Sequence, residues 1–259
     1  MSKDLTSILD GWQHDPDRFA VRIIPGDNGQ EKIQIRLDLG LLQMEIDGRP
    51  DGERPEGAES WFDLFRTRQK EHDAAHPDGA SFQLSSEDCQ LLLREGVQYY
   101  HRYLSFWHLE RYELCARDTS RNLKLFVFVK EFAAKDQDRL LFDQYRPYVT
   151  MMHTKAVATP LLELHDYETA VRVIEAGIAS IRKFLDEYDQ LDRADRCGEL
   201  VHLEKWREQL ANRQPALPPP PPDPIDQLKT DLQLAIAEER FEEAARLRDE
   251  LRRRNEPGM

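Results

Sequence analysis

The segment Leu232 to Arg254 reads LQLAIAEERFEEAARLRDELRRR. Upstream and into it, Ile225, Leu228, Leu232 and Ala235 recur at helical spacing and form one apolar stripe. Phe241, Ala244, Leu247 and Leu251 form a second. The break between them falls near Arg240 and Phe241. If it is a turn, two helices fold back on each other. Phe241 then wedges between them, and Ala244 and Ala245 let the backbones approach closely. Glu242 and Glu243 would open the second helix, and Arg252, Arg253 and Arg254 would close it. Both placements suit the helix dipole by ~0.3–1 kcal/mol per charge. Nothing from Glu238 to Phe241 is a glycine or proline, so periodicity alone equally allows one continuous amphipathic helix.

The residues Ala235-Ile236, Glu239-Arg240-Phe241-Glu242, Ala244-Ala245, Leu247-Arg248-Asp249 and Leu251 decide between these readings. In that order they resemble the UVR motif, the short helical hairpin of the excinuclease subunits UvrB and UvrC. The motif also occurs in adaptors of the ClpC protease system. The resemblance implies a hairpin that mediates protein–protein contact. Its partner-binding residues would be Ile225, Leu228, Leu232, Ala235, Ile236, Phe241, Ala244, Ala245, Leu247, Arg248 and Leu251. The partner it implies is UvrB, UvrC, a Clp-type unfoldase or a second copy of the chain. Two helices of about 12 residues are marginal alone in water, so such a hairpin is expected to dimerise or to dock on another helical pair. The resemblance covers the tail only. The chain lacks the helicase motifs of UvrB, the nuclease motifs of UvrC and the cysteine-rich zinc modules of the related protease adaptor.

Before the hairpin lies QPALPPPPPDP, in which residues 215–224 hold seven of the chain's 15 prolines. Such a run cannot join a helix and favours polyproline II, at ~3.1 Å per residue a semi-rigid spacer of about 30 Å. It reads as a linker that holds the hairpin away from the body, with an SH3-type ligand as the other reading. The expected organisation is a mixed body over residues 1–214, a linker over 215–224 and a UVR-like hairpin over 225–255.

The body reads as α+β, mostly α. Phe19 to Ile24 is apolar and is followed by Pro25-Gly26-Asp27-Asn28-Gly29, a turn signal. Ile33, Ile35 and Leu37 alternate with polar residues, as do Leu42, Met44 and Ile46 after a turn at Asp38–Gly40. This predicts a short antiparallel meander within about residues 19–47, whose apolar face needs cover from helices. Helices are predicted over Ser60–Ala75, Ser86–Cys115, Leu123–Phe132, Asp138–Leu164 with a kink or break at Pro160, Tyr167–Tyr188 and Arg193–Asn212. Ser85 to Asp88 resembles a capping box. Leu161 to Ile181 looks like part of a tetratricopeptide-type helical pair. Asp166-Tyr167-Glu168-Thr169-Ala170-Val171-Arg172 also echoes Arg240-Phe241-Glu242-Glu243-Ala244-Ala245-Arg246, which reads as convergent hairpin chemistry. No sustained 34-residue period supports a repeat array.

Composition narrows the function. The net charge is −13, from 36 basic and 49 acidic residues, which argues against direct nucleic-acid binding through phosphate neutralisation. Cys89, Cys115 and Cys197 are scattered, with no paired-cysteine metal motif, and fit a reducing cytoplasm. The first 15 residues, MSKDLTSILDGWQHD, have no apolar core of a signal peptide, and no apolar run is long enough to span a membrane. His72 and His76 share a helical face beside Asp73, and His101 and His108 share another, but both pairs read as polar surface or packing rather than metal sites. Tyr99, Tyr100, Tyr103, Phe106, Trp107 and Tyr112 form an aromatic face that reads as core. No nucleotide, hydrolase or metalloprotease motif is present. The sequence therefore predicts a non-enzymatic adaptor with no cofactor. The alternative is a ligand-binding or enzymatic body whose tail only dimerises.

Overall fold

The computed structural model describes residues 4–77, 79, 81–212, 224–238 and 240–255. The linker expected over 215–224 lies outside the described residues, apart from its last residue. The elements run α1 (Thr6–Leu9), β1 (Val21–Pro25), β2 (Glu31–Leu37), β3 (Gly40–Glu45), α2 (Trp61–Ala75), α3 (Ser86–His108), α4 (Tyr112–Phe132) and α5 (Asp136–Asp143). They continue with α6 (Arg146–Glu163), α7 (Tyr167–Glu187), α8 (Gly198–Ala211), α9 (Pro224–Ala237) and α10 (Phe241–Asn255). The fold is α+β and mostly α, as its patterning predicts. Contacts divide it into two compact units, Met1–Gln144 and Tyr145–Met259. No change in composition marks that boundary.

In the first unit the meander forms as the alternation requires. β1, β2 and β3 pair antiparallel in sequence order, with Ile33 opposite Ile23 and Met44, and Ile35 opposite Val21 and Leu42. Ile33, Ile35 and Met44 are buried. The opposite face is organised by polar groups. Gln34 is also buried, accepting from Arg22 Nε at 2.9 Å and donating to Gln43 Oε1 at 2.9 Å. The Arg22 guanidinium lies over the Trp12 ring at 3.8 Å, so the N-terminal segment covers this row.

A charged network fastens the sheet to α3 and α4. Arg102 on α3 and Asp118 on α4 are fully buried and pair through two bonds of 2.6 and 3.0 Å. The remaining Arg102 nitrogen donates to the carbonyls of Glu45 (3.1 Å), the last residue of β3, and Gly48 (2.8 Å) beyond it. Arg117 donates to Ile46 O and Asp47 Oδ1, both at 2.7 Å. Two turns before Arg102, the fully buried Glu95 accepts from the first amides of α2, Trp61 N at 2.8 Å and Phe62 N at 3.2 Å, and pairs with Arg121. A carboxylate there satisfies donors that a helix start leaves unbonded.

Helix starts follow the sequence. Ser60 caps α2, and Ser85 with Asp88 forms a reciprocal capping box on α3. Helix ends depart from it in four places. The predicted helix Ser86–Cys115 is two helices, α3 and α4, reversed at Leu109–Arg111. The predicted Asp138–Leu164 is also two, α5 and α6. Pro160 does not break α6; it lies in the last turn, where a missing amide costs one helical bond. Residues 191–196 form 3₁₀ turns ahead of α8 rather than part of one helix.

In the second unit α6 and α7 pack side by side. Gly177 on α7 sits against Thr154 on α6, where a Cβ would collide with the threonine Oγ1 and Cγ2. Thr154 itself is held by a 2.8 Å bond to Thr150 O.

Arg102→Met is expected to leave the buried Asp118 with Arg117, at 3.0 Å, as its remaining ionic partner, costing about 3 kcal/mol in a denaturant melt. Adding Asp118→Leu should restore part of that loss. If the single variant melts like the parent, the pair is not what holds the sheet. Glu110, exposed at the α3–α4 reversal, has a φ of 57°. Glu110→Gly should therefore stabilise the fold by about 0.5–1 kcal/mol, the left-handed penalty less the entropy cost of glycine.

Candidate functional site

The C-terminal hairpin is closed within one chain. α9 ends with Glu238 N donating to Leu234 O at 2.9 Å and Arg240 N donating to Ala235 O at 2.8 Å. The second bond spans five residues and is the 6→1 closure of a Schellman turn. α10 starts at once, and Ala244 N donates to Arg240 O at 3.0 Å. The turn carries charge rather than glycine. Arg240 is exposed and pairs with Glu238 at 2.6 Å and with Glu243; these hydrogen bonds and charges raise its pKa. Glu242 and Glu243 lie in the first turn of α10 and Arg252 to Arg254 in its last. The continuous-helix reading is thereby excluded.

The predicted docking residues fall into three groups. Leu228, Ala235, Ala244 and Leu251 are buried. Ile225, Leu232, Ile236 and Leu247 are half-buried. Ala245 and Arg248 are exposed, on the outward face of α10 with Glu242, Arg246, Asp249, Arg252 and Arg253. Phe241 is the first residue of α10, and the predicted wedging of its side chain lies outside the described residues.

Sequence reading missed Leu234. It is buried beside Ala235, and the two side chains point about 100° apart on a helix. Burial of both needs cover on two sides of α9. α10 packs along one, and α6 and α7 lie against the other. The stripe Leu228–Leu232–Ala235 matches the single buried stripe of α10, Ala244–Leu247–Leu251, which leaves Leu234 to α6 and α7. The hairpin therefore lies against α6 and α7 of its own unit. The signal was present in principle, because Leu234 is a leucine outside the amphipathic stripe.

The turn is one of a set. At the end of α3, Arg111 N donates to Phe106 O at 2.8 Å and Glu110 N to Trp107 O at 3.2 Å. At the end of α6, Asp166 N donates to Leu161 O at 2.8 Å and His165 N to Leu162 O at 3.1 Å. Glu110 and His165 hold φ values of 57° and 61°. The segment after each turn repeats one pattern: Arg111-Tyr112-Glu113-Leu114-Cys115-Ala116-Arg117, Asp166-Tyr167-Glu168-Thr169-Ala170-Val171-Arg172 and Arg240-Phe241-Glu242-Glu243-Ala244-Ala245-Arg246. Its fifth position, Cys115, Ala170 or Ala244, is small and buried each time. The first of these, Arg111 to Arg117, falls at the end of the helix predicted over Ser86–Cys115, so its pattern carries no turn signal in the sequence.

Elsewhere the predicted aromatic face is core in part: Tyr100, Trp107 and, at the start of α4, Tyr112 are half-buried. Tyr99, Tyr103 and Phe106 are buried, and Arg102 and Arg121 stack on Tyr99 at 4.7 and 3.9 Å. Burial raises the Tyr99 pKa and lowers that of His101. Burial also pushes the Cys89 thiol up to about 12. His72 and His76 stack with ring centroids 4.7 Å apart, and no group of three or more metal ligands occurs among the described residues.

Ala235→Leu should force α9 and α10 apart, since added methylenes in a packed site cost about 1–3 kcal/mol. Hydrogen exchange should quicken in α9 and α10 while α3 and α4 keep their protection; unchanged exchange in the hairpin would contradict the packing described.

Comparison with known proteins bears on this segment alone. No curated protein and no solved structure is similar to the chain at a significant level. The family model of the UvrB/uvrC motif matches residues 223–254, which span both helices of the closed hairpin. The C-terminal hairpin of this chain is therefore a UVR motif, carried by a body of no recognised family.

Proposed function

We propose that the chain is a non-enzymatic adaptor that docks to another protein through its UVR hairpin. The observation that carries this reading is the match of the UVR model to both helices of a hairpin whose outer α10 face is exposed. UVR motifs mediate protein–protein contact. The docking surface is that outer face. Ala245 is small enough for a partner helix to approach, and Arg246, Arg248, Arg252 and Arg253 outnumber Glu242 and Asp249 around it. The partner is UvrB, UvrC, a Clp-type unfoldase or a second copy of this chain, and its complementary surface is acidic. The chain acts in a reducing cytoplasm, in keeping with its three scattered cysteines, two of them buried. Its charge of −13 speaks against direct DNA work. No helix among the described residues is long and apolar enough to cross a membrane. The packed aromatic face of α3 gives the ligand-binding alternative no support.

The full chain carrying Ala245→Glu and Arg248→Glu tests the proposal against purified UvrB, UvrC and a Clp-type unfoldase. Both positions are exposed, so stability should stay within about 0.5 kcal/mol of the parent. Capture of the cognate partner should fall at least about tenfold, the equivalent of 1.4 kcal/mol. Undiminished capture by the double variant would sink the assignment of this face.

A further inference from the structure

The last turn of α2 brings two imidazoles together. His72 and His76 stand four residues apart, so the helix places both on one face. Their rings stack with centroids 4.7 Å apart and planes 29° apart. His76 also caps the helix, its amide donating to His72 O at 2.9 Å.

The hydrogen bonds of the two rings decide which nitrogen is available. His76 Nδ1 lies 3.0 Å from His72 O, and His72 Nδ1 lies 3.4 Å from Asp73 Oδ1. A carbonyl and a carboxylate can only accept, so in each neutral ring the proton sits on Nδ1. Nε2, at the distal end of each ring, then carries the lone pair. Metal-binding histidines are arranged in this way: one nitrogen donates to a carbonyl or carboxylate, and that bond orients the other. The orienting groups are held in turn. Asp73 accepts from Gln69 through its second oxygen, and Phe82 stands edge-on to the His72 ring at 5.8 Å.

Such a pair suits a divalent ion that prefers nitrogen. Bonds of about 2.0–2.1 Å to two Nε2 atoms at a tetrahedral angle bring those atoms about 3.4 Å apart. The terminal torsion of histidine is soft, so the rings reach that separation by tilting toward each other. Positive charge is favoured at the end of a helix, and Glu71 and Asp73 add exposed carboxylates beside the pair. His72 is half-buried and His76 exposed, so an ion enters from solvent. No group of three ligands forms among the described residues. The protein therefore supplies two, and the other positions fall to water or to a donor from another molecule.

We propose that His72 and His76 form a binding site for an imidazole-preferring divalent ion, of the class of zinc, copper and nickel, which clips the last turn of α2. Hard ions such as magnesium, which take oxygen ligands, do not bind there. Spacing alone leaves the pair as polar surface; the stacking and the ring hydrogen bonds make it a chelate.

The full chain is titrated with zinc by calorimetry, with magnesium as control. The parent should bind zinc, and His72→Ala and His76→Ala should each weaken that binding at least tenfold. A third variant combines Ala74→His with His76→Ala. It keeps the number of histidines but sets them two residues apart, on nearly opposite sides of the helix. It should bind zinc no better than His76→Ala alone. Zinc should also slow hydrogen exchange in the last turn of α2 in the parent and in none of the variants. His72→Asn and His76→Asn repeat the test should an alanine variant fail to fold. Unchanged zinc binding in the single variants would place the ion elsewhere and overturn the proposal. So would a parent that binds no zinc, or a relocated pair that binds as tightly as the native one.

Discussion

Helix reversal without glycine is the constraint on which the rest of the structure depends. At the α3–α4 and α6–α7 turns a charged or polar residue, Glu110 or His165, takes the left-handed conformation that usually falls to glycine. Each turn is locked by a backbone bond reaching five residues back, and α9 closes on α10 by the same bond. A left-handed non-glycine residue costs about 1–2 kcal/mol, so the turn persists only because packing on both helices demands it. The small buried residue one turn later, Cys115, Ala170 or Ala244, supplies that packing by letting the second helix close on the first. Take these turns away and the chain reverts to long amphipathic helices with no core between them.

That explains what could be read from the sequence. The sheet was legible because its signals are local: alternating Ile33, Ile35 and Met44, with turn residues between strands. Ser60 and Ser85 announced helix starts for the same reason. The hairpin was legible only through its resemblance to a motif, since no local breaker marks Glu238 to Phe241. The reversal at Glu110 was not legible at all. Its cause is tertiary, and a glutamate carries no turn signal. Leu234 was passed over because a stripe argument assigns one buried face per helix, whereas α9 has two.

Charge tells a similar story on two scales. The formal charge of −13 describes the surface and limits which partners suit it. The interior holds a different population. Arg102, Asp118 and Glu95 are fully buried, and each bonds to main-chain or ionic groups from a distant part of the first unit. An apolar substitute could fill the same volume, but it could not receive the carbonyls after β3 or the amides that begin α2. Direction is what these groups add: they fix how the sheet and α2 sit on α3, which a greasy contact alone would leave free to slide.

The close approach at Gly177 ties two positions of different helices together. Because α7 rests directly on Thr154, any side chain added at 177 would have to push the two helices apart or displace the threonine. Positions 154 and 177 are therefore energetically coupled: a larger residue at one can be accepted only with a smaller one at the other, and their effects on stability will not add.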